Sequence, residues 1–413
     1  VEIDCGREFP VTPQIKGAIK KIETAVERMA AAKKPILYCG GGVINSGPAA
    51  SQLLTQFMKM SGFPCTLTLM GLGAVPASDP QFLGMVGMHG TYESNLAMHD
   101  CDVMVCIGAR FDDRVTGRIN AFAPHSKKIH VDIDPSSVNK NVAVDLAIIG
   151  DVAHVLEDMI KVWKAKQVRP DDKALRAWWA QIEEWRARNC LHFLNSDKII
   201  KPQYAIQRLQ ELTQDRDTYI CTEVGQHQMW VAQHMKFEKP NRLMTSGGLG
   251  TMGYGLPATM GVQLAHPESL VIDVAGEASI QMNIQELSTL MQYKLPVKVF
   301  ILNNQYMGMV RQWQELLYQG RYSETYSQGV PDFVKLADAY GALGLRAEKV
   351  SDLDDVIRQA IDHAGPVIMD IVCDPSENCF PMIMSGSAHN EMLLGPEDEN
   401  TGKPVSEDGM ILV

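Results

Sequence analysis

Apolar runs alternate with helical periodicity along most of the chain. Between residues 34 and 155 the run Pro35–Cys39 reads as a buried strand entering three glycines, and residues 49–60 have the 3.6-residue period of a helix. Further short apolar runs at 65–69, Val103–Ile107, 128–133 and 147–149 read as strands of the same unit. A polar stretch beginning at Lys164 leads into a Trp- and charge-rich helix over 174–188. The alternation resumes near Lys201, with strands expected at 219–222, 270–275, 298–302 and Val367–Val372. Strands alternating with helices predict α/β architecture with two doubly wound parallel sheets. The expected division is 1–20 as the tail of a preceding domain, 21–163 and 201–376 as the two α/β domains, 164–200 as their connection, and 377–413 as a tail that wraps or covers something. Val1 stands where a start methionine would, and a truncated chain is the expectation.

Composition narrows the class. Of the 413 residues, 46% are hydrophobic and 21% charged, which is ordinary for a globular protein of two or three domains. The net charge of −11, with no basic run, argues against nucleic acid as a partner. No apolar run is long enough for a bilayer, and the N-terminus lacks a signal-peptide layout. The nine cysteines are scattered without a CxxC pair, which fits a reducing, cytoplasmic setting and excludes a zinc site.

The chemistry concentrates where strands end. The run 270–275 ends in Gly276-Glu277-Ala278-Ser279, and 298–302 ends in Asn303-Asn304. Ligands of an open parallel sheet bind at the carboxyl ends of its strands, so an acid and an amide there suggest a hard-metal site. A helix opening after Gly276 would aim free N–H groups at an anion on that metal, which points to a magnesium-bridged phosphate. Each residue alone fits ordinary turn chemistry. Glu223-Val224-Gly225-Gln226-His227-Gln228 follows another strand, and Ser246-Gly247-Gly248-Leu249-Gly250-Thr251-Met252-Gly253-Tyr254-Gly255 is a glycine-dense loop before a helix. In the first unit, Gly40-Gly41-Gly42, Gly87-Met88-His89-Gly90, Gly108-Ala109-Arg110-Phe111-Asp112-Asp113-Arg114 and Asp132-Ile133-Asp134 could converge on an extended nucleotide. An acid closing a strand, such as Asp132, suits ribose hydroxyls, and Arg110 suits phosphate or stacking on an aromatic system. For Asp112, Asp113 and Arg114 a local ion-pair cluster is an equal alternative.

Together these motifs carry a resemblance. Gly276-Glu277-Ala278-Ser279 through Asn303-Asn304 is similar to the thiamine-diphosphate motif. With Gly225-Gln226-His227-Gln228-Met229-Trp230, Ser246 to Gly255, Gly308-Met309-Val310-Arg311-Gln312-Trp313 and Gly108 to Gly117, nearly the whole chain resembles the acetohydroxyacid synthase (acetolactate synthase) catalytic-subunit family. The resemblance implies thiamine diphosphate, Mg2+ and FAD as cofactors. Magnesium would be held by Glu277, the Asn304 side chain and the Tyr306 backbone carbonyl. Val224, Gly225, Gln226, His227, Ala278, Ser279 and Gly308 would lie along thiamine diphosphate, with Gly250 and Met252 against its aminopyrimidine and Met309 propping its bent form. Gly40, Gly41, Gly42, Thr68, Leu69, Met88, His89, Gly108, Ala109, Arg110, Asp112, Arg114, Asp132, Ile133, Asp151 and Val152 match FAD-contacting positions, and the flavin is mainly structural in that family. Trp313 resembles the indole that selects the second 2-keto acid, and Arg114 the cation that pairs with its carboxylate.

The implied activity decarboxylates pyruvate and ligates the hydroxyethyl unit to a second pyruvate or to 2-ketobutyrate, in branched-chain amino acid biosynthesis. A homodimer or tetramer with a regulatory small subunit is the implied assembly. Rival readings are a related pyruvate oxidase or glyoxylate carboligase, or a cofactor-binding module without catalysis. Two departures from the family pattern matter. The metal motif carries Glu277 where aspartate is usual, moving the carboxylate about 1.5 Å outward in a site that wants oxygens at roughly 2.0–2.1 Å. The glutamate that activates the aminopyrimidine belongs to an N-terminal domain, so the chain alone is expected to be inactive.

Overall fold

The computed structural model describes residues 17–396. Twelve strands form two all-parallel sheets of six. The first holds β1 (Pro35–Cys39), β2 (Cys65–Leu67), β3 (Phe82–Met85), β4 (Val103–Ile107), β5 (Lys127–Asp132) and β6 (Leu146–Ile149), in the order β3-β2-β1-β4-β5-β6. The second holds β7 (Thr218–Thr222), β8 (Leu243–Thr245), β9 (Leu270–Gly276), β10 (Lys298–Asn303), β11 (Leu343–Ala347) and β12 (Val367–Val372), in the order β11-β12-β10-β9-β7-β8. The doubly wound expectation for both units holds.

The two central strands of the first sheet, β1 and β4, are apolar throughout because helices cover both of their faces. Every residue of β1 and of β4 is buried. β3, β8 and β11 went unread in the sequence: each lies at or next to a sheet edge, and β8 is only three residues long. The connecting helix forms over Asp172–Arg186 and belongs to the covering layer of the first sheet. Trp178 is buried and donates its indole N–H to the Pro35 carbonyl at 3.0 Å, while Trp179 donates to the Gly62 carbonyl at 2.9 Å.

One apolar core runs through both sheets, from Leu37, Val105 and Ile129 to Ile220, Ile272 and Phe300. The two units also join where the Ala77 N–H donates to the Phe237 carbonyl at 3.2 Å and the Ser78 hydroxyl to the Glu238 carboxylate at 2.7 Å. The described part of the tail is a strap across them. It carries the short antiparallel pair β13 (Met382–Ile383) and β14 (Met392–Leu393). On one side Arg311 Nη2 donates to the Ser376 and Glu377 carbonyls and to Asn378 Oδ1. On the other, Ile383 N–H donates to the Met88 carbonyl at 2.8 Å and Arg118 N–H to the Ser387 carbonyl at 3.0 Å. Residues 1–16, most of the expected leading tail of 1–20, and residues 397–413 lie outside the described residues; the first described helix, Ile19–Ala30, begins within that tail. Among the described residues no helix is long and apolar enough to cross a membrane. The eight described cysteines are all free.

Candidate active site

Each sheet has a switch point where the chain reverses its direction of growth, and ligands bind in the crevice beyond such a point. In the first sheet it lies between β1 and β4, in the second between β7 and β9. The loops from both open into one cavity of about 2120 Å3. Of the residues assigned to thiamine diphosphate, Mg2+, FAD or substrate in the sequence, all but Gly40 line it. Gly40 stands behind the wall, where an added Cβ would meet the Gly108 carbonyl oxygen at 2.4 Å. Gly42 and Gly108 bring two backbones together, with Gly42 N–H donating to the Gly108 carbonyl at 2.9 Å. Gly108 has φ +61, and a side chain there would collide with the Gly42 backbone.

At the first switch point the acids and cations are arranged loosely. Arg110 pairs with Asp112 at 3.0 Å and Arg114 with Asp113 at 2.8 Å, each arginine side chain 62% exposed. The ion-pair alternative is therefore present in the fold. Such exposed pairs contribute about 0–1 kcal/mol, so either arginine can exchange its carboxylate for an anionic ligand at little cost. Asp151 is already engaged: it caps the helix Val152–Ala165, accepting from the Ala153 and His154 N–H groups and from the Ser46 hydroxyl. His89 is clamped between the strap and the second unit, with Nδ1 3.1 Å from the Pro381 carbonyl. Burial lowers its pKa to about 4; the residue lines the cavity, and its Nε2 is buried without a hydrogen-bond partner.

The second switch point is tighter. After β9 the chain turns at Gly276, whose N–H donates to Ser279 Oγ at 3.0 Å. The helix expected next is a 3-10 segment, Ile280–Glu286, broken at Asn283, and an α-helix forms only at Leu287–Tyr293. The break has a cause: Asn283 Nδ2 reaches back to the Gly253 carbonyl at 2.6 Å and ties this segment to the glycine loop. Glu277 is 1% exposed, and burial pushes its pKa up to about 7. The backbone N–H groups of Glu277 and Asn304 face its carboxylate, as does the Ser327 hydroxyl. Asn304 Nδ2 donates to Gln226 Oε1 at 3.2 Å, while Gln226 Nε2 donates to Gln312 Oε1 and the Glu377 carbonyl, both at 3.0 Å. The Gln226 amide is thus committed to aligning Asn304, and what it leaves to the cavity is backbone.

Several features fit a magnesium-bound diphosphate here. A buried carboxylate beside an amide, with a backbone carbonyl from the same strand end, supplies a hard cation with few protein oxygens, the usual arrangement when phosphates complete the shell. Among the described residues no cluster of three or more His, Cys, Asp or Glu side chains is placed for a metal, so the protein oxygens beside Glu277 would be neutral ones and the phosphates would supply the remaining charge. A Cβ at Gly308 would lie 2.0 Å from Gln226 Oε1, so only glycine lets the helix Gly308–Leu317 begin at this cradle. His227 Nε2 is buried without a partner, and burial lowers the ring pKa to about 3, leaving a neutral imidazole. Met309 is half-buried against the main core, and Trp313 packs on Leu316, Met382 and Leu393.

Three participants were given no role from the sequence, although Glu223 heads one of its strand-end motifs. Glu223 and Asp273 are fully buried side by side beneath the glycine loop, Glu223 accepting from Gly253 N–H at 2.5 Å and Leu256 N–H at 3.1 Å. An acid in the middle of the apolar strand β9 was the available signal for Asp273. Ser327, in a loop without periodicity, offered none.

Two family models match the chain: the thiamine pyrophosphate enzyme central domain over residues 22–159 and the thiamine pyrophosphate enzyme C-terminal TPP binding domain over 223–371. The isozyme 3 large subunit of acetolactate synthase from Escherichia coli (strain K12) is 46% identical over 388 residues, 93% of this chain and 67% of that protein. The chain belongs to the acetolactate synthase large-subunit family. The large subunit from Haemophilus influenzae is 44% identical over 94% of this chain and 67% of its own length, and that from Cyanidium caldarium 42% over 91% and 64%. The chain thus spans about two thirds of the length of these members of the acetolactate synthase family. The matched C-terminal domain makes thiamine diphosphate the cofactor class of the second switch point.

Proposed function

We propose that this chain carries the cofactor and acceptor sites of an acetolactate synthase, an enzyme that decarboxylates pyruvate and joins the two-carbon unit to a second pyruvate or to 2-ketobutyrate. The observation that carries the reading is the opening of both switch points onto one cavity, with the Glu277–Asn304 cradle at one end and the Gly42–Gly108 approach at the other. When bound, thiamine diphosphate supplies a ring carbon that accepts the electron pair released on decarboxylation.

Glu277, the Asn304 side chain and the Tyr306 carbonyl hold Mg2+ in this reading. The backbone at Ala278, Ser279 and Gly308, with the neutral His227, receives the diphosphate, while Val224, Gly225, Gly250 and Met252 line the way to the aminopyrimidine. Met309 supports the cofactor from the core side. Trp313 offers an apolar face to the acceptor's alkyl group, and Arg114 leaves its exposed pair with Asp113 to bind the acceptor carboxylate. FAD occupies the first switch point as a structural group, beside Gly41, Gly42, Arg110 and the unpartnered His89 Nε2. Leu249 is 95% exposed and Met282 52%, apolar positions near the mouth that a second subunit would cover.

The test is acetolactate formation from pyruvate, measured on the 413-residue chain and on a chain extended upstream to the length of its relatives. Both are loaded with thiamine diphosphate, Mg2+ and FAD. Product from the extended chain is expected, and its absence overturns the reading. Flavin bleaching by pyruvate at the rate of turnover would instead identify an oxidase.

A further inference from the structure

A second piece of chain reaches the Glu277 carboxylate from outside the motif. Residues 325–327 run antiparallel to 305–307: Met307 N–H donates to the Thr325 carbonyl and Ser327 N–H to the Gln305 carbonyl, each at 2.9 Å. Tyr306 and Tyr326 form the bridge between them, their rings 5.0 Å apart. Thr325 Oγ1 donates to Gln314 Oε1 at 3.0 Å, anchoring the clasp to the helix Gly308–Leu317. The segment bearing the Tyr306 carbonyl is therefore held in register with Ser327 by backbone bonds. That register sets the Ser327 hydroxyl 3.5 Å from Glu277 Oε1, a loose contact and the one side-chain hydrogen bond to this carboxylate among the described residues.

Glutamate has one more torsion than aspartate, and holding an extra rotor costs up to about 1 kcal/mol of side-chain entropy. A hydroxyl fixed by a backbone clasp can hold one carboxylate oxygen and leave the other to a cation. We propose that Ser327 is a positioning residue of the metal centre, matched to glutamate at position 277, which its hydroxyl holds in place for Mg2+. The inference rests on the reading of Glu277 and Asn304 as metal ligands. It assigns a task to a loop that the motif does not include, and it explains how the longer acid is accommodated.

A double-mutant cycle on the 413-residue chain tests it, with Mg2+ titrated at saturating thiamine diphosphate and binding read by tryptophan fluorescence and calorimetry. Ser327→Ala should weaken Mg2+ roughly five- to tenfold with Glu277 present, and less than about twofold with Glu277→Asp, whose carboxylate falls short of the hydroxyl. Ser327→Thr, which keeps the hydroxyl, should restore Mg2+ affinity, and the melting temperature of the metal-free chain should be the same in all three Glu277 chains. Equal losses in both backgrounds, no loss with Glu277, or failure of threonine to rescue would overturn the role of Ser327. Failure of the metal-site reading looks different: Glu277→Ala and Asn304→Ala would then leave Mg2+-dependent binding unchanged, or the parent chain would show none.

Discussion

Asp273 illustrates how a single residue can set the behaviour of this fold with pH. Both its carboxylate oxygens are buried without a hydrogen-bond partner, and burial, then the neighbouring Glu223, raises its pKa well above the usual carboxylate range. Burial raises Glu223 too, although Gly253 and Leu256 N–H groups oppose the shift. In the unfolded chain Asp273 ionises near the ordinary value of roughly 3.9. Above that pH the folded state keeps a proton that the unfolded state releases, so this pair's stabilisation is complete in acid and is lost as pH rises. Asp273→Asn is neutral at every pH. It should gain stability relative to the parent as pH rises from 4 to 8, by up to about 1.4 kcal/mol per pH unit where the linkage is full. Denaturant midpoints at several pH values measure this, and parallel pH profiles of parent and variant would show that Asp273 ionises normally. The same residue marks the limit of reading sequence. The acid in β9 was visible, but its neighbour Glu223 belongs to another strand end, and their meeting follows from β7 pairing with β9 in the folded sheet.

At the scale of elements, the strand ends were legible because period and punctuation coincide there: an apolar run stops and Gly, Glu or Asn follows. For the strap, a tail that wraps or covers something was legible but not what it covers, because its order comes from side chains of a distant helix. Gln312 shows this most directly. Fully buried, it accepts the Cys379 N–H at 2.7 Å, donates to the Cys379 carbonyl at 3.1 Å and holds Gln226, which in turn aligns Asn304. Gln312→Ala would leave both backbone groups of Cys379 without these partners. Each orphaned buried group costs about 1–3 kcal/mol, so a loss of roughly 2–4 kcal/mol is expected, concentrated in the strap. Limited proteolysis should then cut within 376–396 well before the sheets open, and thiamine diphosphate should bind more weakly through the loosened Asn304. Cleavage at the parent's rate would mean that Arg311 and the β13–β14 pair hold the strap without Gln312.

Across the whole molecule, two sheets that resemble independent domains along the chain share one apolar core and one cavity. Two α/β units with a polar linker would ordinarily unfold separately, each responding to its own ligand. Here Trp230 and Val231, after the second unit's first strand, belong to the same cluster as Leu67 and Val75 of the first. The strap adds hydrogen bonds from Met88 and Arg118 on one side to Gln226, Arg311 and Gln312 on the other. Separating the units would expose that shared core and break those bonds, so the described residues should unfold as a single transition. Thiamine diphosphate with Mg2+, seated on the second sheet, should then stabilise the first sheet equally. At a hundredfold excess over its dissociation constant the gain is about 2.7 kcal/mol. Hydrogen exchange reads the two sheets separately: protection in β1 and β4 should rise with protection in β9 and β10 when the cofactor is added. A gain confined to β9 and β10, or two calorimetric transitions of which one moves, would show that the shared core does not couple the sheets.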